Sequence, residues 1–167
     1  KNRIIVPTDL TEAAGQAIRQ AVVIAQKTGC ALVLLHVVED RLSEEEAIRL
    51  LGAEAKKIHE QTGLQCEAMV KEGNIFDSIP HEACEGDYDL MVIGTHGVKG
   101  IRQMLMGADI MKLVSRVSMP VLVVQKESPV IETFKKIVLP VSSHASFHAA
   151  LDAVLFIANI NDVDVYL

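Results

Sequence analysis

Two short stretches of this chain combine residue types and spacing that could do chemistry. The first is Gly94-Thr95-His96-Gly97-Val98-Lys99-Gly100, continued by Arg102 and by Gly107-Ala108-Asp109. Closely spaced glycines let a backbone approach a ligand and turn its N–H groups inward, which suits an anion such as phosphate. Lys99 and Arg102 add positive charge, or else form a solvated basic face. Gly107 stands just before a helical pattern, whose N-terminus is a natural anion site. The spacing Gly94-x2-Gly97-x9-Gly107 is neither the dinucleotide pattern G-x-G-x-x-G nor a Walker loop, which requires G-K-[ST]. A flexible surface loop built on glycine turns is the competing reading. The second stretch is Pro7-Thr8-Asp9, which follows an apolar run. A carboxylate there could accept from a ribose hydroxyl or an adenine amine. Alternatively, Asp9 or Thr11 simply caps the helix that follows.

The elements that must position these residues alternate strand and helix. Ile4 to Pro7 is a short buried strand. A helix runs from about Thr11 to Thr28, with Ile18, Ala21, Val22 and Ala25 on one stripe and Gly29 as its stop. Ala31 to Val38 is nearly all apolar, as expected of a strand buried on both faces. Ser43 and Glu46 form a capping-box pair that opens a second helix. Leu64 to Val70 predicts a third strand, and Ile75 to Ala83 a third helix that Pro80 should kink or delay. Leu90 to Ile93 is a fourth strand running straight into Gly94. Ile110, Leu113, Val114 and Val117 mark a fourth helix, and Val121 to Val124 a fifth strand. This order implies an open α/β fold, a parallel sheet with helices on both faces. In such a sheet ligands sit at the carboxyl ends of the strands, where strand order reverses. Both chemical stretches fall at such ends.

Composition agrees. Half of the 167 residues are hydrophobic and only 4% are aromatic. The aliphatic bulk suits buried parallel strands. A net charge of -6 disfavours non-specific nucleic-acid binding. No apolar run approaches the ~18–20 residues that span a membrane, and the residues before Pro7 are too few for a secretory signal. The three cysteines, Cys30, Cys66 and Cys84, form no C-x-x-C pair. They read as small buried hydrophobes in a reducing, cytoplasmic setting. His36 ends a strand and reads as structural. His144 and His148 stand four apart on a helix, but no third metal ligand is evident. His96 has no partnered nucleophile and reads as a loop residue or phosphate donor.

The chain also repeats itself. A constant offset of 133 residues pairs Ile4 with Ile137, Pro7 with Pro140, Ala17 with Ala150, Ile24 with Ile157 and Leu34 with Leu167. This predicts a domain over 1–126, a linker over 127–134, and over 135–167 the β-α-β beginning of a second domain of the same type, incomplete here. Ser142 stands where Asp9 stands in the first unit, so the second site is degraded.

Together, Ile5-Val6-Pro7-Thr8-Asp9, Leu35-His36-Val37, Asp89 to Gly97, Gly107 and Met119 to Val124 resemble the universal stress protein family. The resemblance covers Arg3 to about Gln125 and the restart at Lys136, and the restart looks like the tandem-domain members. It implies a five-stranded sheet of order 3-2-1-4-5. It also implies an adenine-nucleotide site: Pro7, Thr8 and Asp9 on the adenine and ribose side, Val37 and Ile93 along the base, and Gly94, Thr95, His96, Gly97, Lys99, Gly107, Ala108 and Asp109 toward ribose and phosphates. ATP, ADP or AMP is the implied ligand, with Mg2+ as an accompanying ion. The last strand, 121–124, is expected to pair across a homodimer or with a second domain.

One departure is visible. The family's ATP-binding pattern has Ser or Thr directly after the last glycine, and this chain has Ala108 followed by Asp109. A lost hydroxyl donor to a charged phosphate costs about 1.5–3 kcal/mol, or roughly 10–150-fold in affinity. Asp109 is also placed to cap the fourth helix and to repel phosphate. The leading expectation is a cytosolic stress-response protein that senses an adenine nucleotide. The alternative is a non-binding interaction module that acts through dimerisation. Nucleotide hydrolysis ranks last, because no paired carboxylates stand beside the loop.

Overall fold

Five parallel strands form the scaffold, in the order β3-β2-β1-β4-β5. They are β1 (Arg3–Pro7), β2 (Ala31–Val38), β3 (Cys66–Glu72), β4 (Leu90–Thr95) and β5 (Val121–Gln125). Four helices alternate with them: α1 (Glu12–Thr28), α2 (Glu44–Thr62), α3 (Ile75–Glu85) and α4 (Gly107–Val114). The structure is a computed structural model and describes residues 2–38, 44–95, 107–140 and 147–167. The expected open α/β architecture and its strand order are both observed.

The central strands β1, β2 and β4 are near-continuous apolar runs because both of their faces are covered. Alternate residues serve opposite layers. Ile5, Val33, Leu35, Met91 and Ile93 pack with Ile79 and Ala83 of α3 and Leu113 of α4. On the other side, α1 lies over β1, β4 and β5, while α2 lies over β2 and β3. Gly29 ends α1 in the left-handed region at φ 71, its N–H bonded to the Ala25 carbonyl 2.8 Å away.

Several local expectations are corrected. α3 begins at Ile75 and runs through Pro80 to Glu85, so Pro80 does not delay its start. Proline removes the N–H that would bond the carbonyl four residues earlier, that of Phe76. Here Arg116 donates to the Phe76 carbonyl from outside the helix and also pairs with Asp77 at 2.9 Å. Val117 lies beyond α4, which stops at Val114. β3 sits two residues later than its apolar pattern implied, because its register against β2 runs from Leu32↔Cys66 to Val38↔Glu72. His36 is inside β2, not at its end. Ser43 lies outside the described residues.

Tyr88, just before β4, is buried with its ring against Gly86, where a Cβ would come within 1.9 Å of it. Its hydroxyl donates to Glu82 at 2.7 Å, and Lys71 pairs with the same carboxylate at 3.0 Å. Burial, reinforced by the Glu82 carboxylate, pushes the Tyr88 phenol well above its ordinary value. Burial would raise Glu82 too, but the bonds from Tyr88 and Lys71 outweigh it and hold this carboxyl below its usual range.

The chain divides into two units, residues 1–130 and 131–167. The second contains β6 (Lys136–Val138), α5 (Phe147–Ala158) and β7 (Asp164–Tyr166). Its two strands pair in parallel as Lys136↔Asp164, Ile137↔Val165 and Val138↔Tyr166. The first unit pairs Arg3↔Ala31, Ile4↔Leu32 and Ile5↔Val33. At the offset of 133 the two registers coincide residue for residue. His144, and the side chain of His148, lie outside the described residues.

Candidate functional site

A cavity of about 130 Å³ opens at the carboxyl ends of β1, β2 and β4, where strand order reverses. That is roughly ten times what one water needs. Its walls are mostly apolar: Leu35 and Val37 from β2, Ile93 from β4, Ile75 and Ile79 from α3, and Ala13 and Ala14 from α1. Pro7, Thr8, Asp9, Thr11, His36 and Gly94 complete the lining.

The polar rim is built by the segment that follows β1. The Thr8 N–H donates to the Leu35 carbonyl at 2.8 Å, which extends the β1–β2 ladder one residue past Pro7. His36 Nδ1 lies 2.7 Å from the Thr8 carbonyl. A carbonyl only accepts, so Nδ1 carries the proton. Asp9 Oδ1 accepts from the Thr11 N–H at 2.9 Å and from the Thr11 hydroxyl at 2.5 Å. Thr11 occupies the N-cap position of α1 without a side-chain cap bond, so the capping alternative applies to neither residue in its simple form. The other carboxylate oxygen, Asp9 Oδ2, is buried and has no hydrogen-bond partner among the described residues. Burying an acceptor with no donor is costly. A ligand hydroxyl or amine would satisfy it.

Gly94 serves packing as well as ligand approach. A Cβ at this position would stand 2.5 Å from the Ala13 carbonyl oxygen and 2.8 Å from its carbon. The absence of a side chain lets the first turn of α1 sit on the end of β4, and this contact forms one wall of the cavity.

The structure thus brings six of the sequence-predicted site residues to one cavity: Pro7, Thr8, Asp9, Val37, Ile93 and Gly94. Thr95 is next to it in β4, its carbonyl accepting from the Lys126 N–H at 3.0 Å. His96, Gly97, Lys99 and Arg102 lie outside the described residues. Gly107 is the first residue of α4 rather than the residue before it. Asp109 is therefore inside the first turn and not its cap, with its carboxylate 3.4 Å from Lys112 Nζ. Among the described residues lining the cavity there is no Lys or Arg. Sequence reasoning missed His36 as a lining residue, along with Leu35, Ile75 and Ile79. The aliphatic ones carry no chemical signal, since a wall of a cavity and a piece of core read alike.

The fold and this crevice define an open parallel α/β protein of the nucleotide-binding-like kind. Residues 1–125 match the model of the universal stress protein family, and the chain belongs to that family. It is 26% identical over 140 residues to universal stress protein MJ0531 of Methanocaldococcus jannaschii, covering 74% of this chain and 82% of that protein. The fold is similar to that of a universal stress protein solved in complex with cAMP, with a TM-score of 0.62 and 21% identity, over 75% of this chain and 98% of that one. It is also similar to that of the universal stress protein from Archaeoglobus fulgidus in complex with dAMP, with a TM-score of 0.60 and 19% identity, over 74% and 98% of the two chains.

Proposed function

We propose that this universal stress protein binds an adenine nucleotide in the crevice between β1 and β4 and acts as a sensor or regulator rather than as an enzyme. The observation that carries the reading is the unpartnered Asp9 Oδ2 at the rim of an apolar slot. Such a site selects a planar base attached to hydrogen-bond donors, which describes a nucleoside. The cAMP and dAMP complexes of proteins with this fold support the same ligand class. Val37 and Ile93 flank the base in this reading, and Asp9 takes a ribose hydroxyl or the base amine. The phosphates extend toward Gly94-Thr95-His96-Gly97, Lys99 and Gly107. Ala108 supplies no hydroxyl there, and Asp109 adds a negative charge, so AMP is favoured over ATP.

The proposal extends to assembly. β5 is an edge strand, and Val123 on it is 41% exposed. Edges of this kind are covered in a stable protein, and pairing of β5 with a second copy or second domain would cover it. The matching offset and register of β6-α5-β7 support a second domain of the same type beginning near residue 135. A reducing, cytoplasmic location is in keeping with three free cysteines.

The test is thermal unfolding with AMP, ADP and ATP, each with and without Mg2+. Ligand at 100 times its Kd stabilises by about 2.7 kcal/mol, enough for a clear shift in Tm. AMP is expected to shift the wild type, and Asp9→Ala is expected to abolish the shift. An unshifted wild type at millimolar nucleotide would leave the interaction-module alternative.

A further inference from the structure

The segment that presents Asp9 is tied to β2 by one backbone hydrogen bond and by one side chain, the His36 ring. The backbone pairing of β1 with β2 stops one residue past Pro7, with the Thr8 N–H, and the chain then turns toward α1. Thr8 is 7% exposed, so its carbonyl is poorly served by water. His36, opposite it on β2, supplies the missing donor through Nδ1–H at 2.7 Å. With the Thr8 N–H already bonded to Leu35, both backbone groups of Thr8 are tied to β2. The next residue is Asp9, whose Oδ1 is committed to Thr11 and whose Oδ2 is open. The following residue, Leu10, stands at φ 64, a conformation that a side chain of its type rarely adopts. Its N–H is tied to Thr8 Oγ1 at 3.1 Å. The open carboxylate oxygen is thus set by a short relay: β2 fixes His36, His36 fixes Thr8, and Thr8 fixes the turn that carries Asp9.

We infer that His36 is a positioning residue for nucleotide binding, acting through its Nδ1–H on the Thr8 carbonyl to hold the Asp9 carboxylate at the rim of the cavity. This rests on the proposed nucleotide site. His36 also lines the cavity, so a direct contact from its other ring nitrogen, Nε2, is the rival account. The two are separable, because the Asn amide nitrogen reaches where Nδ1 does and the Gln amide reaches where Nε2 does. Holding Thr8 through Nδ1 therefore predicts that His36→Asn retains binding, whereas His36→Gln and His36→Leu lose it.

The experiment is titration calorimetry of the full chain with AMP, with thermal unfolding of each unliganded variant alongside. Expected results are an affinity for His36→Asn within about threefold of wild type, and a loss of about tenfold or more for His36→Gln and His36→Leu. A histidine that merely stabilised the fold would lower Tm without this Asn-over-Gln order among variants still folded at the titration temperature. Retention by Gln with loss by Asn assigns a ligand contact through Nε2 and overturns the inference. Equal affinity of all three variants and wild type overturns it as well. A wild type that does not bind AMP overturns instead the nucleotide reading on which it depends.

Discussion

Replacing Gly94 by alanine tests the most constrained contact in the site. The new Cβ would lie 2.5 Å from the Ala13 carbonyl oxygen, 2.8 Å from the Ala13 carbonyl carbon and 3.1 Å from Ala14 Cα. Ordinary close C···O contacts are about 3.3–3.6 Å, so the first turn of α1 must retreat by roughly 1 Å or β4 must bend. All three neighbours are backbone atoms, so no side-chain rotation relieves the clash. Overpacking of this kind costs about 1–3 kcal/mol. At about 2–4 °C per kcal/mol for a chain of this size, Tm falls by several degrees. Binding suffers further, because Ala13 and Ala14 are themselves a cavity wall. AMP affinity should fall by at least about tenfold. Differential scanning calorimetry and AMP titration read the two effects. Gly52→Ala is the control of opposite sign. Gly52 lies within α2 with nothing within 4 Å of its added Cβ, so alanine there should stabilise by roughly 0.5–1 kcal/mol. A Gly94→Ala protein that melts and binds like wild type would refute the argument that this glycine seats α1 against β4.

Three further outcomes concern β3 and α4. Burial, and then the charge of Glu54, push the Cys66 thiol from its ordinary 9.0 up to about 11. A raised value means that its share of stability is intact below pH 9 and is lost as pH rises through 11. Of the three cysteines expected to be buried only Cys30 is, with Cys66 half-buried and Cys84 exposed. Cys66→Ala should flatten the alkaline fall in Tm over that window, and at pH 8 iodoacetamide should label Cys84 well before Cys66. For the phosphate end, Ala108→Ser with Asp109→Val should tighten ATP by about 10–150-fold and leave AMP much less changed. Equal gains for both nucleotides in calorimetry would refute the placement of phosphates beside α4.

The architecture was legible because strands buried on both faces are written as unbroken aliphatic runs, as in Ala31 to Val38 and Leu90 to Ile93. Helix ends were legible where one residue has a backbone reason, as with Gly29 after α1. Legibility failed where a partner distant in sequence decides. Pro80 reads as a kink or a delayed start, and the donor that Arg116 brings to the Phe76 carbonyl comes from a residue far along the chain. The register of β3 is set by β2, not by its own pattern. The site divides the same way. Pro7, Thr8, Asp9 and Gly94 stand out by type and motif, whereas Ile75 and Ile79 become cavity wall only when α3 is laid over β2. His36 was readable as a strand residue, but its bond to Thr8 crosses 28 residues and leaves no local trace.

The isolation of Tyr88 gives the molecule a built-in optical label. The chain has two tyrosines and no tryptophan. Tyr88 lies in the unit spanning 1–130, buried and hydrogen-bonded to a carboxylate, while Tyr166, in the unit spanning 131–167, is 49% exposed. Ultraviolet emission from this protein is therefore a sum of one signal per unit. Tyr166→Phe silences the second and leaves Tyr88 as a lone reporter on the layer beneath α3, so the loosening of the unit spanning 1–130 can be timed by itself without attaching a dye.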